Sequence, residues 1–121
     1  VTVKHHDSLC VTEAVTVMAW INAESHQGGG TARWAGILAK SNGPRSYSFY
    51  TTTDGGGSLH FSSMGGSLSN KKVALKKWEH VVAQMTKKGQ QQYYINGEDG
   101  GTGGAGALPG ENVTANVLVL W

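Results

Sequence analysis

Residues 78–97 read WEHVVAQMTKKGQQQYYING, and this stretch decides the fold. Apolar side chains recur at every second position of 78–86, so they share one face if the chain is extended, because successive side chains of a strand point to opposite sides. A second β-rich segment covers 91–95. It ends in Asn96-Gly97, which favours a tight hairpin turn because both residues tolerate a positive φ. The stretch therefore predicts strands rather than helices.

Similar short runs of β-branched and aromatic residues occupy the rest of the chain, separated by turns rich in glycine. They predict further strands over residues 15–22, 36–41, 46–52, 58–63 and 117–121. Glycine supplies 18 of the 121 residues, and only residues 71–77 have a helix-compatible composition, over too short a length to matter. Short strands with frequent turns favour a sandwich or a barrel, and the length fits a single domain.

The alternating pattern also assigns side chains to the core and to the surface. Neither face of 15–22 is very polar, so we expect both faces to be covered, with Trp20 and Trp78 in the core. Tyr50 falls on the opposite face from its apolar neighbours on the same strand. Residues 100–110 are dominated by glycine, which loses much entropy on ordering. They predict a surface loop that is either mobile or pinned by a partner, a neighbouring protomer or an ion.

Composition excludes several classes of protein. Charged residues are only 15% and the net charge is +2, whereas a disordered chain needs a high net charge. No apolar run approaches the roughly 18 residues of a membrane-spanning helix, so membrane insertion is not expected. Three Lys-Lys pairs, at 71–72, 76–77 and 87–88, are consistent with a sulfated glycan partner or with solvated edges that block aggregation. No nucleic-acid-binding motif accompanies them, so a nucleic-acid partner is not expected.

Five segments in a fixed order resemble one family, the laminin-G-like, concanavalin A-like jelly-roll domains. These segments are residues 7–21 (DSLCVTEAVTVMAWI), 34–40 (WAGILAK), 47–61 (YSFYTTTDGGGSLHF), 78–83 (WEHVVA) and 94–98 (YINGE). The resemblance implies an all-β fold, an antiparallel two-sheet jelly-roll sandwich. The family's outermost strands have no counterpart before residue 1 or after residue 121. We therefore expect a single domain over 1–121 that lacks its outermost N- and C-terminal strands, or borrows them from a neighbour.

The resemblance implies a binding function rather than catalysis. Glycoside hydrolases of this fold carry an E-x-D-x-E triad, because the nucleophile and the general acid must lie about 5–5.5 Å apart. This chain has no such triad, and the adjacent Glu98 and Asp99 would point to opposite faces of a strand. We therefore expect a non-catalytic recognition module that is extracellular or surface-exposed, with a glycan or an extracellular protein as its partner.

The candidate ligand-binding residues are aromatic side chains and polar turn residues. An exposed aromatic ring packs against the C–H face of a sugar, while nearby polar groups bond its hydroxyls. Trp34 and Tyr50 are the candidate rings, although core packing explains them equally well. Asp54, Asn96 and Glu98 are the candidate polar groups around them.

Calcium is the cofactor that the resemblance suggests, because jelly rolls of this kind often hold Ca²⁺ through carboxylate, amide and carbonyl oxygens. Asp54, Asn96 and Asp99 are the candidate ligands. The alternative is that Asp54 and Asn96 are only turn formers, a role for which both residue types are suited.

A second class of function remains open. If the outer strands are absent, unpaired sheet edges can pair with neighbouring molecules. The chain would then be a structural building block of a surface fibre, a sheath or a virion decoration, self-assembling through its open sheet edges. The oligomeric state in solution distinguishes this hypothesis from a monomeric recognition module.

Overall fold

The computed structural model describes residues 1–40, 46–63, 66–104 and 118–120. This part of the chain holds ten β-strands and a short 3-10 helix at Asp7–Leu9. The strands are β1 (Thr2–Val3), β2 (Ala14–Asn22), β3 (Trp34–Lys40), β4 (Tyr47–Thr52), β5 (Ser58–Ser62), β6 (Gly66–Lys72), β7 (Trp78–Thr86), β8 (Gln90–Ile95), β9 (Glu98–Gly104) and β10 (Leu118–Leu120). No described residue belongs to a helix with the length and apolarity to cross a bilayer.

The strands form two antiparallel sheets. One sheet has six strands in the order β1-β10-β3-β4-β5-β6, and the other has four in the order β2-β7-β8-β9. Every neighbouring pair runs antiparallel. This arrangement confirms the predicted all-β sandwich of two sheets.

The core lies between the sheets and consists of side chains at alternate strand positions. Phe49 and Phe61 are fully buried in the six-stranded sheet and pack edge to face, with ring centroids 5.8 Å apart. Val81 and Tyr93 face them from the four-stranded sheet and are also fully buried. Each such aromatic or branched side chain contributes about 1.5–3 kcal/mol to folding when it leaves water, so the alternating pattern selects the face that turns inward.

The predicted strand bounds agree closely with the structure where the alternation is strong. Strand β7 has the predicted bounds, and the other predicted strands differ by one or two residues within the described part of the chain. Residues 41, 117 and 121 lie outside the described residues. Strand β6 was not predicted, since its sequence GSLSNKK carries few β-forming side chains.

The prediction of a surface loop is wrong for residues 100–104, which belong to β9 and pair with β8. Residues 105–110 lie outside the described part. The glycines of β9 allow it to pack closely against β6 of the other sheet. A Cβ atom added at Gly103 would lie 1.7 Å from the Ser67 Oγ, and one added at Gly101 would lie 2.7 Å from the Asn70 amide nitrogen. Glycine is therefore required here for close approach rather than for mobility.

The interpretation of Trp20 and Trp78 as core residues is also wrong. Their side chains are 67% and 63% exposed, on the outer face of the four-stranded sheet. Strand alternation explains the error, because the smaller Val17, Ala19 and Ile21 occupy the inward positions of β2. For the same reason the expectation that both faces of this strand are covered does not hold.

Candidate functional site

An aromatic cluster occupies the outer face of the six-stranded sheet. Tyr50 on β4 pairs directly with Gly36 on β3 and with His60 on β5, so these three residues form one row across the sheet. Trp34 is the first residue of β3. It lies two residues before Gly36, on the same face of the sheet, and pairs with Thr52. The side chains of this face point away from Phe49 and Phe61, as the alternation predicts.

The indole of Trp34 lies across the sheet rather than upright on it. Its ring centroid is 4.6 Å from the His60 ring and 6.1 Å from the Tyr50 ring. Because β4 separates β3 from β5, and adjacent strands lie about 4.8 Å apart, the indole must extend over β4 to reach His60. Thr52, which pairs with Trp34, is accordingly fully buried. The result is a ring platform on which Trp34, Tyr50 and His60 remain half-exposed.

His60 was not among the candidate site residues. Its outward position was readable from the strand pattern, but its contact with Trp34 depends on how three strands pair. Gly66 helps to place the imidazole, because a Cβ added there would lie 2.8 Å from the His60 Nε2. A side chain at position 66 would therefore displace the ring from the platform.

Polar side chains border the platform where β3 begins and β4 ends. Arg33 Nη1 lies 3.2 Å from Asp54 Oδ1, and both side chains are accessible to solvent. The Thr52 hydroxyl donates to the Arg33 carbonyl and accepts from the Asp54 backbone N–H, at 3.0 and 3.1 Å. These bonds hold the ion pair beside Trp34. Asp54 is thus placed next to one of the predicted aromatic residues.

Lys72 borders the other side of the platform. Its backbone pairs with Ser58, which itself pairs with Thr52, so Lys72 lies in the same cross-strand row as Trp34. The Lys72 Nζ donates to the Ser58 hydroxyl at 2.8 Å. The outer face therefore combines half-exposed rings with a carboxylate, a guanidinium and an ammonium group.

The other predicted residues lie on the four-stranded sheet, at the β8–β9 hairpin. Asn96 adopts a φ of 54° in the turn, as its turn-forming role predicts. Its side-chain oxygen accepts from the His80 backbone N–H at 2.9 Å, and its amide donates to Glu79 at 3.3 Å. Asn96 therefore connects the hairpin to β7. The structure does not bring it to the aromatic platform.

The two acidic residues of this hairpin are already bonded within the protein. Asp99 Oδ1 accepts from the Gly101 backbone N–H at 2.7 Å and from the Gln92 amide at 2.9 Å, and these bonds lower its pKa. Glu98 accepts a hydrogen bond from Lys71, whose bond and charge lower the pKa of Glu98. Both carboxylates are exposed and negatively charged at neutral pH.

The three candidate calcium ligands therefore belong to two different parts of the molecule. Asp54 follows a strand of the six-stranded sheet, whereas Asn96 and Asp99 flank a turn of the four-stranded sheet. Within the described ranges, no group of three or more His, Cys, Asp or Glu side chains could hold a metal ion. Calcium binding through these residues, with help from carbonyl oxygens, stays a prediction.

The chain belongs to the laminin-G-like family described as the concanavalin A-like lectin/glucanases superfamily, whose model matches residues 1–120. This membership agrees with the two-sheet sandwich and confirms the resemblance found in the sequence. The comparison with curated proteins finds no match.

Several solved structures share the fold. A candidate carbohydrate-binding protein from Bacteroides ovatus ATCC 8483 aligns with a TM-score of 0.66 and 16% identity, over 89% of this chain and 31% of its own. A botulinum neurotoxin type C structure, described by its interaction with two ganglioside molecules, aligns with a TM-score of 0.65 and 15% identity, over 98% of this chain and 30% of its own. The heptameric SAP-like pentraxin of Limulus polyphemus aligns with a TM-score of 0.56 and 18% identity, over 89% of this chain and 50% of its own. The chain thus spans about a third of the first two proteins and half of the third.

Proposed function

We propose that this domain is a non-catalytic carbohydrate-binding module whose binding surface is the outer face of the six-stranded sheet. The observation that carries the proposal is the ring platform of Trp34, Tyr50 and His60, with centroids 4.6 and 6.1 Å from the indole. The carbohydrate-binding description of the Bacteroides ovatus protein and the ganglioside interaction of the neurotoxin support it.

The chemistry of the platform suits a sugar. A ring lying along the sheet offers its face to the C–H groups of a pyranose, and the contact removes apolar surface from water. Asp54, Arg33 and Lys72 then supply one acceptor and two donors at the edges of the platform. Few groups need to move, because the Thr52 bonds already hold the Arg33–Asp54 pair. Such preorganisation reduces the entropic cost of binding.

A glycan array followed by calorimetry tests the proposal. The wild-type domain should bind at least one glycan class, and Trp34→Ala and Tyr50→Ala should each weaken that binding about tenfold or more, since a ring contact worth about 1.4 kcal/mol corresponds to a factor of ten. Leu75→Ala is the matched control, because Leu75 is 46% exposed and lies outside the platform. The absence of binding to any glycan, or equal affinities for all variants, contradicts the proposal.

Two further measurements address calcium and catalysis. Calorimetry with calcium and with a chelator shows whether the domain binds the ion. The same titration of Asp54→Ala and Asp99→Ala distinguishes a site at Asp54 from one at the turn that holds Asn96 and Asp99. Incubation with β-glucans tests catalysis, and we expect no turnover because the sequence lacks the acidic triad of the hydrolases. We further propose an extracellular or surface location, which fits a glycan ligand.

The rival proposal is a building block that assembles through sheet edges. In this structure β6 and β9 are edge strands of different sheets and pack against each other. Of the four sheet edges in the described part of the chain, two are therefore less accessible to neighbours, which favours the recognition module. Sedimentation should show a monomer, whereas concentration-dependent polymers would support the building block.

A further inference from the structure

The outer face of the four-stranded sheet has a composition of its own. We call it the neutral face, and its outward side chains are Ala14, Thr16, Met18, Trp20, Asn22, Trp78, His80, Val82, Gln84, Thr86, Gln90, Gln92, Tyr94, Asp99 and Thr102. All four strands are described in full, and Asp99 is the single carboxylate, lysine or arginine among these positions. The Asp99 carboxylate lies on the edge strand β9 and accepts hydrogen bonds from the Gln92 amide and the Gly101 backbone N–H.

One half of the neutral face is aromatic and exposed. Trp20, Trp78 and Met18 are each more than 60% accessible to solvent. Trp20 pairs with His80 across β2 and β7, and their rings lie 5.3 Å apart. An exposed group of large apolar side chains on one face usually marks a site of interaction.

A cleft of about 350 Å³ opens beside these rings. The cleft lies along β2, the edge strand of the four-stranded sheet. Its lining includes Trp20, Ile21, Ala23 and Trp78 from that side and residues 35–37 of β3 from the other sheet. Asn22, Ser25 and Thr51 add polar groups to an otherwise apolar lining. The volume falls within the range of about 300–1,000 Å³ that is typical of ligand sites.

The other half of the neutral face is rich in amides and hydroxyls. A second cleft, of about 360 Å³, is lined by Gln84, Thr86, Gln90, Gln91, Gln92, Thr102 and Gly103. The Gln84 amide donates to the Thr16 hydroxyl at 3.3 Å, across the same strand pair that carries Trp20. Thr16 and Trp20 are four residues apart on β2, so the two halves are separated by about 14 Å at roughly 3.4 Å per residue.

We infer that the neutral face is a second binding surface, whose ligand is an extended, uncharged polysaccharide chain. Along these strands, aromatic rings that can pack against the C–H faces of sugars are followed by amides that can bond the sugar hydroxyls. A sulfated or acidic chain would meet no lysine or arginine at the outward strand positions themselves, since the lysines at 76–77 and 87–88 lie beyond the two ends of β7. A protein partner fits less well, because burying the side-chain amides of Gln84 and Gln90 without matched partners is costly.

The inference does not rest on the platform, because the rings and amides of the neutral face point away from the six-stranded sheet. Only the cleft beside Trp20 and Trp78 reaches β3, at residues 35–37, next to Trp34. Together the platform and the neutral face would let one domain bind two glycan chains at once. A polymer that contacts both surfaces would then bind with a higher affinity than either surface provides alone. The gain is set by the effective concentration of the second surface once the first is occupied.

Affinity electrophoresis in gels containing dextran, laminarin or galactomannan tests the inference, with heparin as the charged comparison. We expect at least one neutral polymer to retard the wild type. The double variant Trp20→Ala/Trp78→Ala should lose at least tenfold in affinity for that polymer, and Gln84→Ala/Gln90→Ala should lose several-fold. The Trp20→Ala/Trp78→Ala substitutions should cause the same loss in a Trp34→Ala background. Val3→Ala, at an exposed position on the far edge of the six-stranded sheet, is the control and should keep the wild-type affinity.

The outcomes separate the two proposals. Loss on Trp20→Ala/Trp78→Ala, both in the wild type and in the Trp34→Ala background and with Val3→Ala unchanged, supports the second surface, even if the platform binds nothing. No retardation by any neutral polymer overturns it. A dimer that the Trp20/Trp78 variant abolishes also overturns it, because the face would then be a protein interface. Circular dichroism verifies folding, and if the tryptophan variant does not fold, the glutamine variant decides.

Discussion

The hydroxyl oxygen of Tyr93 accepts a hydrogen bond of 2.9 Å from the backbone N–H of Phe61, and this bond joins the two sheets through the core. The same hydroxyl donates to the Ser67 carbonyl at 2.6 Å. Gln91 adds a parallel connection, since its amide donates to the Phe61 carbonyl at 2.9 Å and its oxygen accepts from the Ser67 backbone N–H. Two polar side chains of β8 thus satisfy backbone groups of β5 and β6.

Tyr93→Phe should destabilise the domain by about 1–3 kcal/mol. The substitution leaves the buried Phe61 N–H and the Ser67 carbonyl without this partner, and an unsatisfied buried group costs about that much. Chemical denaturation measures the effect. Tyr94→Phe, on the neighbouring outward position, is the control and should change the free energy of unfolding by less than about 0.5 kcal/mol. Equal effects of the two substitutions would show that the Tyr93 hydroxyl does not stabilise the fold.

Alkaline pH should weaken the domain through the same residue. Burial raises the pKa of Tyr93 above its ordinary value of 10.0, although its hydrogen bonds partly oppose this shift. The folded state then holds the proton more tightly than the unfolded state, so stability is complete below pH 10 and falls as the pH rises through the pKa of folded Tyr93. The free energy of unfolding of the wild type should therefore decline more steeply above pH 10 than that of Tyr93→Phe. Parallel declines would contradict the prediction.

The fold could be predicted where apolar and polar side chains alternate, and it could not be predicted where glycines leave no side chains to compare. In residues 78–86 the apolar Val81, Ala83 and Met85 fall at alternate positions, and β7 has the predicted bounds. Strand β9 was interpreted as a loop because its glycines carry no side chains from which a pattern could be read. Their role depends on the contacts of Gly103 with Ser67 and of Gly101 with Asn70 on β6. In each of these pairs, the two residues are more than thirty positions apart in the sequence. No local pattern encodes such a contact.

The candidate site could be predicted only in part for a related reason. The outward position of Tyr50 follows from alternation, but the meeting of Trp34 with His60 depends on the pairing of three strands. That pairing includes an irregularity between Gly36 and Leu38, which shifts the register of β3 against β4. A shift of one residue reverses the faces, so the platform becomes visible only in the assembled sheet.

Lys71→Met should raise the pKa of Glu98 towards its ordinary value of 4.5. The Lys71 hydrogen bond and charge lower that pKa, and they join β6 to β9 on the surface. NMR titration of the Glu98 carboxyl carbon measures the change. Lys88→Met is the control, since it removes a lysine that is outside this pair, and it should leave the Glu98 titration unchanged. An equal response to both substitutions would show a general charge effect rather than a specific bond.

Gly103→Ala should destabilise the domain by about 1–3 kcal/mol, the usual cost of forcing atoms into a packed site. The added methyl would lie 1.7 Å from the Ser67 Oγ and 2.3 Å from the Ser67 Cβ, so β9 and β6 must move apart. Gly104→Ala is the matched control one residue along, where a Cβ meets no described atom within 4 Å. That control should be neutral or stabilise the fold by up to about 1 kcal/mol, because alanine reduces the entropy of the unfolded chain. Thermal and chemical denaturation of the two variants measure the difference. If both variants behaved like the wild type, the glycines of β9 would not be required for the contact between the two sheet edges.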